Sequence, residues 1–288
     1  MSAKFGPAGN SDAFSAVHKS SLAAPQWIAE QGLDCYEYQC GKGVHVGEDT
    51  ARRVGENARK HGISLSLHAP YFINLANPDP DSLQKTIGYI TSACLVASQM
   101  GASRVVIHSG ALMKRTRREA LDTALRSLRE VIRTCDGQGF GHIALCPETM
   151  GKINQLGDLE EVLELCTLDE RLIPCIDFGH LYARSLGADD RAEAFGRMLD
   201  RVESVLGQSR ASVFHSHFSH IQFTPGGGEK CHRTFDDDDG YGPDWAPLAR
   251  AIARRGWSPT FICESAGTQA KDALTMKRIY QEVLTAQG

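Results

Sequence analysis

Eight short runs rich in β-formers recur along this chain, with amphipathic stretches at helical spacing between them. The runs are Lys4–Gly6, Leu33–Tyr38, Ser64–His68, Arg104–His108, His142–Cys146, Ile173–Asp177, Val213–Phe218 and Pro259–Glu264. The stretches between them include Asp49–His61, Gln84–Met100, Arg117–Gln138, Leu159–Cys166, Ala192–Val205 and Trp245–Arg255. Strand, crossover helix, strand is the βαβ unit, and it predicts parallel strands. Eight such units in 288 residues fit an α/β fold of the (β/α)8 TIM-barrel type, for which roughly 250 residues is usual. A doubly wound sheet would need G-x-G-x-x-G at its first strand-to-helix turn, and Phe5-Gly6-Pro7-Ala8-Gly9 does not supply it. No linker, repeat or shift in composition divides the chain. One barrel domain over residues 1–288 is therefore expected.

What ends each strand is more specific than the strands themselves. His68 ends the third, His108 the fourth, and Glu148 follows the fifth. Asp177 ends the sixth, His217 lies in the seventh and Glu264 ends the eighth. The intervals His68–His108, His108–Glu148 and Asp177–His217 are each 40 residues, about one βα unit. In a barrel the C-terminal strand ends converge on one mouth, where active sites are built. Singly, each of these residues reads as a packed histidine or a capping acid. Six ionisable groups in one buried mouth are different, because burying charges together costs several kcal/mol each unless a cation compensates. A metal centre follows. Imidazole with carboxylate and no thiolate suits Zn²⁺, with Mn²⁺ and Fe²⁺ as alternatives. The ligands outnumber what one tetrahedral ion needs, so two or three ions are expected, with the central Glu148 as bridge.

Further histidines lie near this mouth. His180 stands three residues after Asp177, and His232 lies in a long loop, about Thr224–Asp244, that carries Gly226-Gly227-Gly228 and the acidic run Asp236–Asp239. A loop of that length in a compact domain is usually functional. His215 shares a face with His217 one layer deeper and reads as a supporting residue. His220, at opposite parity, is expected to face away. Glu37 reads either as another mouth residue or as a partner for a lysine.

Composition sets limits. The net charge is −4, which argues against coating nucleic acid by bulk charge but not against a local basic patch. Basic residues do recur in the expected βα loops: Lys42, Lys114, Arg115, Arg117, Arg118, Lys152, Arg184, Lys230 and Arg233. They read as a phosphate-binding ring. Nine cysteines, an odd number without a Cys-x-x-Cys pair, read as reduced and mostly buried thiols of a cytoplasmic protein. No apolar run approaches a membrane span, and the N-terminus lacks the apolar stretch of a signal peptide.

Taken together, these segments resemble the endonuclease IV family of apurinic/apyrimidinic (AP) endonucleases. Leu67-His68-Ala69-Pro70-Tyr71-Phe72-Ile73-Asn74-Leu75 is similar to its His-Ala-Pro-Tyr segment, and Val106-Ile107-His108-Ser109-Gly110 to its next ligand strand. Pro147-Glu148-Thr149-Met150-Gly151-Lys152 resembles its Glu-Thr segment, and Cys175-Ile176-Asp177-Phe178-Gly179-His180 its Asp-x-x-His segment. His217-Phe218-Ser219 and Glu264-Ser265 fall where the last two strands carry ligands. Phe5–Gly9 and Gly228-Glu229-Lys230-Cys231-His232 are closest to an archaeal-type subgroup. The resemblance implies a TIM barrel with a trinuclear zinc site that hydrolyses double-stranded DNA 5′ to an abasic site. It implies one zinc at His68, His108 and Glu148, a second at Glu148, Asp177, His217 and Glu264, and a third at His180 and His232. It also places Tyr71 and Phe72 where the family inserts side chains into the DNA stack. A monomer is expected.

One position departs from the family. Where the family has Asp two residues before the loop histidine, this chain has Lys230, and simple strand parity turns Glu229 away. The third group is thus expected to lack a carboxylate and to hold its ion most weakly. The rival reading is a metal-dependent sugar isomerase or epimerase on the same barrel. The acidic net charge favours that rival, and the extra histidines favour phosphodiester chemistry.

Overall fold

The computed structural model describes residues 2–287. Its main sheet has eight parallel strands: β1 (Lys4–Pro7), β2 (Cys35–Gln39), β3 (Ser64–His68), β4 (Arg104–His108), β5 (Ala144–Glu148), β6 (Cys175–Asp177), β7 (His215–Phe218) and β10 (Thr260–Cys263). Their order is β1-β10-β7-β6-β5-β4-β3-β2. The ring closes between β1 and β2, where Ala8 bridges Glu37, Gly9 N–H donates to Glu37 O at 2.9 Å and Asp34 N–H donates to Phe5 O at 2.8 Å. Gly6 permits that approach, since a Cβ there would lie 1.8 Å from the Cys35 carbonyl oxygen. The fold is the expected TIM barrel.

Two differences bear on function. The fifth strand runs two residues further than expected, so Glu148 is its last residue and not a loop residue. The long loop after the seventh strand contains an antiparallel hairpin, β8 (His220–Thr224) with β9 (Gly228–Arg233). It packs on the loop after β5, where Lys152 bridges Gly228 and Glu229 N–H donates to Gly151 O at 3.2 Å. The core lies between barrel and helices, with Leu67, Val105, Ile107, Phe214 and Phe261 fully buried. All nine cysteines are free, and eight are buried. Among the described residues no helix is long and apolar enough to cross a membrane.

Candidate metal centre

The C-terminal strand ends open into a cavity of about 950 Å³, and His68, His108, Glu148, His180, His232 and Glu264 line it. Parallel register explains the convergence. His68 is the last residue of β3, His108 pairs with Glu148 across β4 and β5, and Asp177 pairs with His217 across β6 and β7.

Glu148 is the hub. Its Oε2 lies 3.2 Å from His68 Nε2 and 3.3 Å from His108 Nε2, and its Oε1 lies 2.9 Å from His217 Nδ1. Ligand-type atoms of Glu148, Asp177, His217 and Glu264 all lie within 4.8 Å of one another, as do those of His180, Glu229 and His232. Burial works to raise the Glu148 carboxyl, but the charge of His217 and hydrogen bonds from His108, His217 and His68 hold it well below the usual carboxylate range. Burial pushes the Asp177 carboxyl up, against the pull of His180, and Glu264 and Glu148 add to the rise. Burial opposes charge on His180, yet Asp177, Glu229, Glu148 and Glu264 raise its pKa to about 9.

Asp177 and His180 are tied by local structure. Asp177 caps the helix Phe178–Arg184, and its Oδ1 accepts from His180 N–H at 2.7 Å. That cap uses one carboxylate oxygen. The other, Oδ2, is buried with no hydrogen-bond partner. Such an oxygen, 3.3 Å from His180 Nδ1 and grouped with the carboxylates of Glu148 and Glu264, suits a cation.

The histidines show the same fit. His68 Nδ1 donates to Ala69 O at 2.7 Å, His108 Nδ1 to Tyr71 O at 3.1 Å and His180 Nδ1 to Thr149 O at 2.9 Å. His232 Nδ1 lies 2.8 Å from Ser219 Oγ. In each ring one nitrogen is anchored and the other is left for the cluster, the arrangement by which outer partners orient metal-binding imidazoles.

The hairpin changes one expectation. In β9, Cys231 pairs with Gln222 and Glu229 with Phe223, so Lys230 is an extra residue without a partner. A one-residue bulge reverses strand parity beyond it. Glu229 therefore joins His232 on the cavity side, with Oε2 3.5 Å from His180 Nε2, while Lys230 is exposed. Gly151 leaves the room, because a Cβ there would lie 2.6 Å from Glu229 Cβ. The third group thus has a carboxylate after all. Only a signal for the bulge could have found it, and the sequence carries none that we recognise.

Glu37 is buried beneath the cluster and meets histidines, not a lysine: His217 Nε2 at 2.9 Å and His215 Nε2 at 2.8 Å. Its inward parity in β2 was the available signal. Cys175, two residues before Asp177 and on the same face, lies with His215 and His217 under the site. Burial pushes its thiol well above the usual range. His220 points away from the cavity, as its parity predicts, and stacks on Phe235 at 4.7 Å between ring centroids.

The basic ring is smaller than expected. Arg184 donates to Met150 O at 3.0 Å, Lys152 O at 3.0 Å and Gln155 O at 3.3 Å, so it braces the loop after β5. Arg115 donates to Ala76 O and to Thr123 Oγ1. Arg117 pairs with Glu161, Arg118 with Asp122 and Glu164, and Arg233 with Asp239. Arg115 and Arg184 hold loops because their forked donors satisfy backbone carbonyls, whereas the pairs of Arg118 with Asp122 and Glu164 lie in solvent on helix surfaces. Lys42, Lys114, Lys152 and Lys230 are exposed and make no ion pair among the described residues. Tyr71 and Phe72 are each 51% exposed at the rim. Tyr71 stacks on His108 at 5.5 Å and donates to Gln39 Oε1 at 3.0 Å, and Phe72 packs edge-on against Tyr89.

Comparison with known proteins agrees with this architecture. A family model described as Xylose isomerase-like TIM barrel matches residues 25–282. An uncharacterized protein of Methanocaldococcus jannaschii is 30% identical over 256 residues, covering 89% of this chain and 90% of its own. A probable endonuclease 4 of Mycoplasma genitalium is 29% identical over 143 residues, covering 48% of this chain and 47% of its own. The chain thus spans about half the length of that relative. Among solved structures, a D-tagatose 3-epimerase-like protein superposes with a TM-score of 0.73 at 19% identity, covering 99% of each chain. Endonuclease IV from Thermus thermophilus superposes with a TM-score of 0.64 at 17% identity, covering 98% of this chain and 99% of its own. At such identities these likenesses concern the fold.

Proposed function

Because the chain belongs to the Xylose isomerase-like TIM barrel family, we propose that it is a metal-dependent phosphodiesterase of the endonuclease IV kind, incising double-stranded DNA 5′ to an abasic site. The observation that carries this reading is the number of groups around Glu148. Epimerising a sugar asks for one or two cations and an acid–base pair. Cutting a phosphodiester asks for an activated water, a clamp on the phosphate and stabilisation of the leaving oxygen, and neighbouring ions supply these together. The site offers His68, His108 and Glu148 as one ligand group, Glu148, Asp177, His217 and Glu264 as a second, and His180, Glu229 and His232 as a third. Two or three divalent ions, zinc by ligand chemistry, would bring Lewis acidity that activates water near neutral pH and offsets phosphate charge.

The chain's own residues do the rest. Glu148 is placed to share its two oxygens between groups, which keeps their spacing fixed. Its lowered pKa keeps it anionic at any physiological pH. Lys42 and Lys152 line the cavity and Lys230 stands on the adjoining hairpin, so all three are placed to meet backbone phosphates. Tyr71, held by Gln39 and His108, is a fixed aromatic face beside the cluster, and Phe72 extends it outward. Such side chains can fill the gap left by an unstacked nucleotide.

A sugar epimerase is the second reading. The amides of Asn10, Gln39 and Gln269, which share the cavity with Glu264, suit sugar hydroxyls and favour it. The deciding experiment is incision of a duplex carrying one abasic site, with metal analysis of the same sample. Incision that chelator abolishes and zinc restores supports the endonuclease. Full metal content with no incision, together with epimerisation of a ketose, overturns it.

A further inference from the structure

Of the histidines at the mouth, His217 is held differently from the rest. His68, His108 and His180 are anchored by backbone carbonyls and His232 by a hydroxyl, while His217 is anchored by a carboxylate, Glu37, at 2.9 Å. Glu37 is fully buried and sits in β2, a strand that contributes none of the three ligand groups. We propose that Glu37 is a positioning residue for the metal centre. It sets the tautomer and orientation of His217, and so the affinity of the group formed by Glu148, Asp177, His217 and Glu264. The inference rests on the metal-centre reading above.

The directions of the hydrogen bonds support it. Arg104 lies at the N-terminal end of β4, on the far side of the barrel. Its Nη2 donates to Val213 O at 2.8 Å, and its Nη1 lies 3.5 Å from His215 Nδ1. The Glu37 carboxylate can only accept, and Arg104 Nη1, shared at 3.5 Å between Phe214 O and His215 Nδ1, is consistent with His215 Nδ1 being an acceptor. The proton of His215 is then on Nε2, which donates to Glu37 Oε2 at 2.8 Å. Ser66 Oγ donates to the same oxygen at 2.8 Å, and Gln39 Nε2 donates to Oε1 at 3.2 Å. Glu37 is therefore surrounded by donors and accepts from His217 Nε2–H as well. With Nε2–H committed to Glu37, His217 Nδ1, 2.9 Å from Glu148 and 3.5 Å from Glu264, is the nitrogen left for an ion, and its proton leaves when the ion binds. One chain of hydrogen bonds, Arg104 to His215 to Glu37 to His217, runs through the barrel floor and fixes which nitrogen meets the ion. A carboxylate behind an imidazole also makes the ring a stronger ligand than a carbonyl does.

Glu37→Gln tests this. Glutamine offers one acceptor and one donor, so it cannot accept from both His215 and His217, and one ring must turn or change tautomer. Zinc affinity is measured on the chelator-treated protein by competition with a metal indicator, and the His217 Nε2–H is followed by proton–nitrogen NMR. The expected result is a metal-free protein that folds with a lowered melting temperature, a lost or displaced His217 Nε2–H signal, and zinc at this group weakened about 10–100-fold. Wild-type zinc affinity in a folded Glu37→Gln protein overturns the proposal. If that variant does not fold, Arg104→Met leaves Glu37 in place and removes the donor that faces His215 Nδ1. It should displace the same signal and weaken zinc, and no change in either overturns the chain. A wild-type protein that takes up no metal ends the metal-centre reading and this inference together. A loaded wild type with an equally avid variant ends this inference alone.

Discussion

Glu229 faces His180 across the cavity, with its Oε2 3.5 Å from the ring Nε2, because Lys230 is bulged out of β9. The relationship turns on one residue of register. It predicts that Glu229→Gln weakens zinc at the third group by about tenfold or more, since even outer-shell partners cost 10–100-fold. Deleting Lys230 removes the bulge and turns Glu229 outward, so it should reproduce the loss with Glu229 still present. Site-resolved occupancy during a chelator titration checks both. A Lys230 deletion with a fully occupied third group would show that the bulge does not place the ligand.

Glu148 is predicted to be the most damaging single position. It touches His68, His108 and His217 at once. Glu148→Gln keeps the shape and removes the charge that the groups share. Incision should fall by about 10²–10³-fold, the scale on which one electrostatic contributor usually acts, and bound zinc should drop in parallel. Near-normal incision with full metal content would refute the shared role.

Replacing Tyr71 and Phe72 together by Ala should weaken binding to abasic duplex by about 1–3 kcal/mol per lost stacking face. Both side chains are half exposed, and His108 is anchored by the main-chain oxygen of residue 71, so fold and metal content should survive. Fluorescence anisotropy with abasic and intact duplexes reads the effect. Unchanged affinity for abasic DNA would remove the wedge role from these residues.

The cations divide into two classes with different expected phenotypes. Each of Lys42→Gln, Lys152→Gln and Lys230→Gln should lower the slope of log affinity against log salt by about 0.9, with little change in melting temperature. Arg184→Met should lower the melting temperature, because Met150, Lys152 and Gln155 lose a shared donor. A changed salt slope with unchanged stability for Arg184→Met would place it at the DNA instead.

The metal-free protein should lose stability in alkali. His180 is raised to about 9 by its carboxylate neighbours, against burial. A histidine whose pKa rises on folding stabilises the fold fully below its unfolded value of about 6.5, and that contribution disappears as pH climbs through 9. Melting of chelated protein should therefore fall between pH 6.5 and about 9, the window set by that shift. Zinc loading at pH 8 should release protons, read as a buffer-dependent heat of binding. Zinc uptake without proton release would contradict a protonated His180.

Much of the site was legible before the fold was known, and the reason is periodicity. Parallel strands of one barrel end at one mouth, so His68, His108, Asp177 and His217 declared themselves by strand position and by recurrence at one βα unit. Asp177 and His180 were paired by local chain geometry, one capping the helix whose first turn carries the other. The sequence alone thus determined the barrel, the order of its strands and most of the residues facing its cavity. Only the tertiary structure decided what depended on register or on distant partners. A single bulge brought Glu229 inward, and bulges leave no periodic trace. Arg115 and Arg184 were spent on carbonyls that are adjacent in space, 39 and 34 residues away at Ala76 and Met150. Glu37 met His217 across 180 residues of chain, at the floor of a closed barrel. Side-chain parity is a local property, whereas the partner of a buried charge is set by whatever the closed ring places against it.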